Sequence, residues 1–80
     1  MPGSKSDFSH LFDRRVFKIG RGLDLDRDFY DFAAFIWVNL QNIRGYQKNI
    51  IMALIKESHD YPLSEETKQI LWEIDWVLFA

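Results

Sequence analysis

Eighty residues, 48% of them apolar and 16% aromatic, are too hydrophobic for a disordered chain and enough for one domain with a thin core. Cysteine is absent and histidine occurs only at His10 and His59, which removes disulfides and a structural zinc site as supports and leaves oligomerisation. The net charge of −2 hides a polarity: six basic against four acidic residues leave positions 1–27 at +2, while four against eight leave positions 28–80 at −4, a balance too small to imply nucleic-acid binding by itself.

Residues 1–7 are small and polar and read as a flexible lead ahead of a single helical domain over 8–80. The lead has no apolar stretch of a signal peptide. The best candidate for a membrane span, Phe32 to Val38, is flanked by Asp31 and Asn39 and falls far short of ~18 apolar residues. With neither a signal peptide nor a span, a soluble cytoplasmic protein is expected, and the absence of Cys is compatible with that.

Next in the chain, Phe8, Leu11 and Phe12 sit at spacings that suit a helical turn, and the alternation Val16-Phe17-Lys18-Ile19 predicts a short extended segment. Gly20-Arg21-Gly22 breaks that segment, because glycine permits an abrupt change of direction. This arm is expected to fold back over the helices that follow.

The first long helix is predicted to begin near Leu25 to Arg27, with Asp24 or Asp26 as N-cap and with Asp28 and Asp31 in the first turns, where carboxylates complement the helix dipole. Phe29, Phe32, Ala33, Ile36, Trp37, Leu40 and Ile43 keep a helical spacing and form its core stripe. Phe35 and Val38 project away from the stripe. Gly45 predicts a break or kink. A second helix is expected from Gln47 to Ser58, with Ile50, Ile51, Leu54 and Ile55 inward, ended by His59-Asp60-Tyr61-Pro62 because the residue before proline avoids the α region. Ser64 then caps a third helix with Glu65 and Glu66 in its first turn. At about 100° per residue, Ile70, Leu71, Ile74, Val77 and Leu78 make one apolar stripe of this helix, while Trp72, Trp76 and Phe79 make another half a turn away.

Little in the chain points to chemistry. Asp24-Leu25-Asp26-Arg27-Asp28 opens like a calcium loop, but Phe29 stands where that loop needs Gly and Phe35 where it needs a bidentate Glu, so a capped helix start is the reading. Gly20-Arg21-Gly22 beside Arg14, Arg15 and Lys18 is the one place where backbone N–H groups and guanidinium groups can cradle an anion, with Arg14, Arg15, Lys18 and Arg21 as candidate contacts for an anion or nucleic acid. The lysine and hydroxyl of a P-loop are missing. His10 and His59 have no sequence neighbours that propose a nucleophile and base. No catalytic residue, metal site or cofactor is expected.

The expected architecture is mainly α: a three-helix antiparallel bundle, an N-terminal arm with a short extended segment, and a homodimer that completes the core. The aromatic excess on the third helix can be met by the arm, whose Phe8, Leu11, Phe12, Phe17 and Ile19 also need cover. Phe35 and Val38 make the same demand on the first long helix, which favours a surface supplied by association. A non-enzymatic interaction module is therefore expected, an adaptor, inhibitor or regulator that binds itself and an unidentified protein through Trp72, Trp76, Phe79, Phe35 and Val38. The alternative is a dimeric DNA-binding regulator in which a basic strand, Arg15, Phe17 and Ile19 or Arg14, Val16 and Lys18, pairs with its twin in the major groove, as in ribbon-helix-helix proteins. That correspondence is interrupted by the length of the first helix and by the extra helix at the end. Membrane association through the C-terminal aromatics is opposed by Glu73 and Asp75 between them.

Overall fold

The computed structural model describes residues 4–80, with side chains from Phe8 onward. Among the described residues there are four α-helices and no strand: α1 (Ser4–Lys18), α2 (Leu25–Val38), α3 (Tyr46–Ser58) and α4 (Glu65–Phe79), with one 3₁₀ turn at Leu40–Asn42. No helix is long and apolar enough to cross a membrane, among the same residues.

The expected arm is a helix. Its predicted extended segment, Val16–Ile19, is overturned, because α1 runs on to Lys18. Phe8, Phe12, Val16 and Ile19 recur every three or four residues and make one face, and Phe8 and Phe12 are buried with Val16 and Ile19 packed beside them. That spacing outweighs an alternation only four residues long. Arg15 and Lys18 in the last turn complement the helix dipole. Part of the polar lead falls within this helix, and residues 1–3 lie outside the described residues.

α2 begins as the capping residues predict, with the Asp24 carboxylate accepting from Arg27 N–H at 3.2 Å. It stops at Val38, earlier than its apolar spacing implies. The Asn39 side-chain amide donates to the Phe35 carbonyl at 2.8 Å, and the Asn39 N–H turns back to Ile36. Such local bonding competes with helix continuation. The chain then makes its 3₁₀ turn, keeps Leu40 and Ile43 against the core, and breaks at Gly45, whose φ of +54° is left-handed. Gly45 is the N-cap of α3, whose start is supported by Gln47 Oε1 accepting from Arg44 N–H at 3.0 Å.

α4 is capped by Ser64, whose hydroxyl accepts from Thr67 N–H at 3.2 Å. The Ser64 N–H itself donates to Asp26, near the start of α2, so α2 and α4 begin side by side and run in the same direction. α3 lies between them in the chain and returns it. Phe12, Phe29, Phe32, Ala33, Ile36, Ile51, Leu71 and Ile74 form the centre of the core.

α1 adds to this core by packing on α2. Phe8 stacks on Phe35 with ring centroids 5.4 Å apart, and Phe12 meets Phe32 at 6.0 Å. Tyr46 ties α1 to α3, its hydroxyl donating to Asp13 at 3.1 Å while its ring meets Phe12 edge-on. Four assignments of single residues change. Trp37 is not core filler but 39% exposed, Val77 is exposed, and the arm residues Leu11 and Phe17 lie on the outer side of α1. Trp37, Val77 and Leu11 sit at the margin of an apolar stripe, where helical spacing alone does not fix burial, and Phe17 lies nearly opposite the buried face of α1.

Candidate interaction surfaces

The five residues expected at an interface do not form one surface. Trp72 and Trp76 are one turn apart on the outer side of α4 and are 62% and 67% exposed. Phe79 is half-buried and packs against the core. Phe35 is half-buried beneath Phe8, on the side of α2 that faces α1. Val38 is 75% exposed at the end of α2. The arm therefore satisfies Phe35 and leaves Trp72 and Trp76 uncovered, because α1 packs on α2 and not on the outer face of α4.

Two grooves flank α4. One, of about 420 Å³, lies between the end of α3 and α4 and is lined by Trp72, Tyr61, His59, Lys68 and Asp75 among others. Ser58 also borders it, but its hydroxyl donates to the Ile55 carbonyl within the buried turn, so its proton is committed there and not to His59. His10 is exposed on α1, away from this groove. The second groove, of about 540 Å³ and more open, runs between α2 and α4 and is lined by Tyr30, Trp37, Ile70, Glu66 and Glu73. Sequence alone conceals it, since its walls are about forty residues apart and meet only because α2 and α4 run parallel.

The basic candidates also separate. Arg15 is half-buried with its guanidinium 4.6 Å from the Phe35 ring centroid, and its Nε has no acceptor among the described residues. It holds α1 to α2 by cation–π contact and hydrocarbon packing. Arg21 lies over the exposed Phe17 ring at 4.2 Å. Arg14 and Lys18 are exposed on the outer side of α1 and make no ion pair among the described residues. With residues 14–18 helical, the paired strand of a ribbon-helix-helix reader has no counterpart here.

The glycine turn is already occupied from within. Gly20 and Gly22 N–H groups donate to the Asp28 carboxylate at 3.3 and 3.2 Å, so an internal carboxylate fills the place an external anion needs. The three alternate carboxylates after the turn each take backbone donors in a different direction: Asp24 from Arg27, Asp26 from Ser64, and Asp28 from the glycines. They diverge and do not converge on a cation. Among the described residues, no three His, Asp or Glu side chains are gathered for a metal ion. The Asp26 carboxyl is held below its ordinary range, chiefly by the Ser64 N–H, against the opposing effect of desolvation and with lesser help from the Thr67 and Ser64 hydroxyls.

Compared with known proteins, the chain matches no family model, no curated protein and no solved structure.

Proposed function

We propose that this chain is a non-enzymatic protein–protein interaction module, an adaptor, inhibitor or regulator, that docks through the outer side of α4 and forms a homodimer by it. The observation that carries this reading is the pair Trp72 and Trp76, exposed on successive turns of one helix, with Val77 exposed beside them. Covering one such indole contributes about 2–3 kcal/mol from area alone, and aromatic anchors of this kind are enriched at the centres of interfaces. Phe79 continues the pair toward the core and would form the edge of the covered patch.

Replacing Trp76 by Glu tests it. Sedimentation of the full chain at micromolar concentration in high salt is expected to show a dimer that becomes a monomer in Trp76→Glu, with helicity by circular dichroism unchanged. A wild-type monomer at these concentrations, or a variant that sediments like the wild type, overturns the reading.

A further inference from the structure

The groove between α2 and α4 is apolar on its floor and acidic at its rim. Tyr30, Trp37 and Ile70 supply the floor, while Glu66 and Glu73 stand along the α4 side. Neither glutamate is matched by a Lys or Arg among the described residues: Glu73 accepts only the Gln69 amide at 3.1 Å, and the ion pairs use Asp31 and Glu65, the latter a third acid at the rim that is already paired with Lys68. What fits such a groove is a helix that is apolar and basic on the same side.

This chain presents that surface on α1. Leu11, Arg14, Phe17 and Lys18 share its outer side, facing away from the buried Phe8 and Phe12, and Phe17 is 64% exposed. Arg21 adds a third cation over the Phe17 ring. The two surfaces match in length as well as in charge. Leu11 to Lys18 and Tyr30 to Trp37 are each seven residue steps, about 10 Å along a helix at 1.5 Å per residue.

We infer that the α2–α4 groove is a docking site for the outer face of α1 from a second copy of this chain. The contact pairs two different elements, α1 of one copy with the groove of the other, and it can be made once, head to tail, or twice, reciprocally about a two-fold axis. It rests on the reading of the chain as a self-associating module, but it uses a face distinct from Trp72 and Trp76. Unmatched cations meet unmatched carboxylates, and Leu11 and Phe17 enter between Tyr30 and Trp37.

The experiment is a charge exchange on the full chain, read by sedimentation. One variant reverses the groove, Glu66→Lys with Glu73→Lys; another reverses the helix, Arg14→Glu with Lys18→Glu. All four positions are at or near the surface, and circular dichroism checks that both variants keep their helices. The wild type is expected to self-associate, at least tenfold more weakly at high salt than at low salt, where screening is reduced. Each variant alone should lose that salt-sensitive association and keep only what the α4 face supplies, and an equimolar mixture should regain it, because the native α1 of one then meets the native groove of the other. Self-association that is indifferent to salt and to both reversals but abolished by Trp76→Glu overturns this docking and leaves the α4 face standing. Association lost in the reversals and unchanged in Trp76→Glu supports this docking and overturns that face. A wild type that stays monomeric at low salt overturns both.

Discussion

Asp26 Oδ1 accepts a hydrogen bond from the Ser64 N–H at 2.6 Å across 38 residues of chain. The donor is the N-cap residue of α4, and the acceptor lies in the first turn of α2. One carboxylate therefore satisfies a backbone donor of one helix start while its own charge favours the positive end of the other. The bond also sets the relative height of the two helices. With their starts level, Tyr30 comes beside Glu66 and Ile70, and Trp37 beside Glu73, which is what creates the groove between α2 and α4.

The same bond makes stability depend on acid. The Asp26 carboxyl is shifted below its ordinary value of 3.8 in the folded chain. A group with a lowered folded pKa contributes stability that is fully present above its unfolded value and is lost as pH falls through the folded one. Urea titrations are expected to show a falling unfolding midpoint below about pH 4. Asp26→Asn should lower the midpoint at neutral pH and flatten this acid dependence; an unchanged slope would mean that other carboxylates carry it.

The glycine turn yields a prediction in which two mechanisms separate. A Cβ on Gly22 would lie 2.8 Å from Asp28 Oδ1, so Gly22→Ala must push the carboxylate away from the two N–H groups it accepts. Gly20 and Gly45 have open space around them, but their φ values of +86° and +54° strain any other residue. All three alanine variants should be destabilised by about 1–2 kcal/mol. Only the cost at Gly22 should shrink when Asp28 is also replaced by Ala. A double-mutant cycle by urea unfolding measures this, with a coupling near zero expected for the Gly45–Asp28 pair.

Local signals in the sequence were the ones that reached the structure. Asp24 and Ser64 cap the helices that follow them, Gly45 breaks the chain, and the stretch before Pro62 ends α3, because each acts through backbone geometry within a few residues. Val16 to Ile19 misled by the opposite route: four alternating residues suggested extension, while the longer spacing from Phe8 to Ile19 made a helix. Trp37 and Phe35 exchanged roles for a tertiary reason. α1 supplies Phe8 to cover Phe35, whereas Trp37 borders the open groove between α2 and α4 and stays 39% exposed. The pairing of Asp26 with Ser64, and the groove it aligns, depends on which helix ends meet, and helical periodicity carries no information about that.

α1 is held by few contacts, and Phe12 is the central one. Its ring is fully buried between Phe8, Phe32 and Tyr46. Truncating a buried phenylalanine costs about 3–5 kcal/mol, a large share of the stability of a chain this small. Phe12→Ala is expected to release α1 from α2 before the rest of the core opens. Hydrogen exchange should show protection falling across Ser4–Lys18 first, with α2 and α4 retaining more. Uniform loss of protection in all four helices would instead make α1 part of one cooperative unit with the core.

Trp72 and Trp76 offer a direct optical reading of whether the α4 face is covered in solution. Trp37 is the third indole and is itself partly exposed, so Trp37→Phe isolates the pair on α4. The change is near the surface and is expected to alter stability by about 0.5 kcal/mol or less. In the proposed dimer the two indoles would be dry and emission would lie to the blue; on dilution it should move to the red along the same curve that sedimentation gives for dissociation. Trp76→Glu in this background should leave a single indole, Trp72, with red emission at every concentration. Emission already red at high concentration in the Trp37→Phe chain would show that the pair stays in water, and the docking face would then have to lie elsewhere on the molecule.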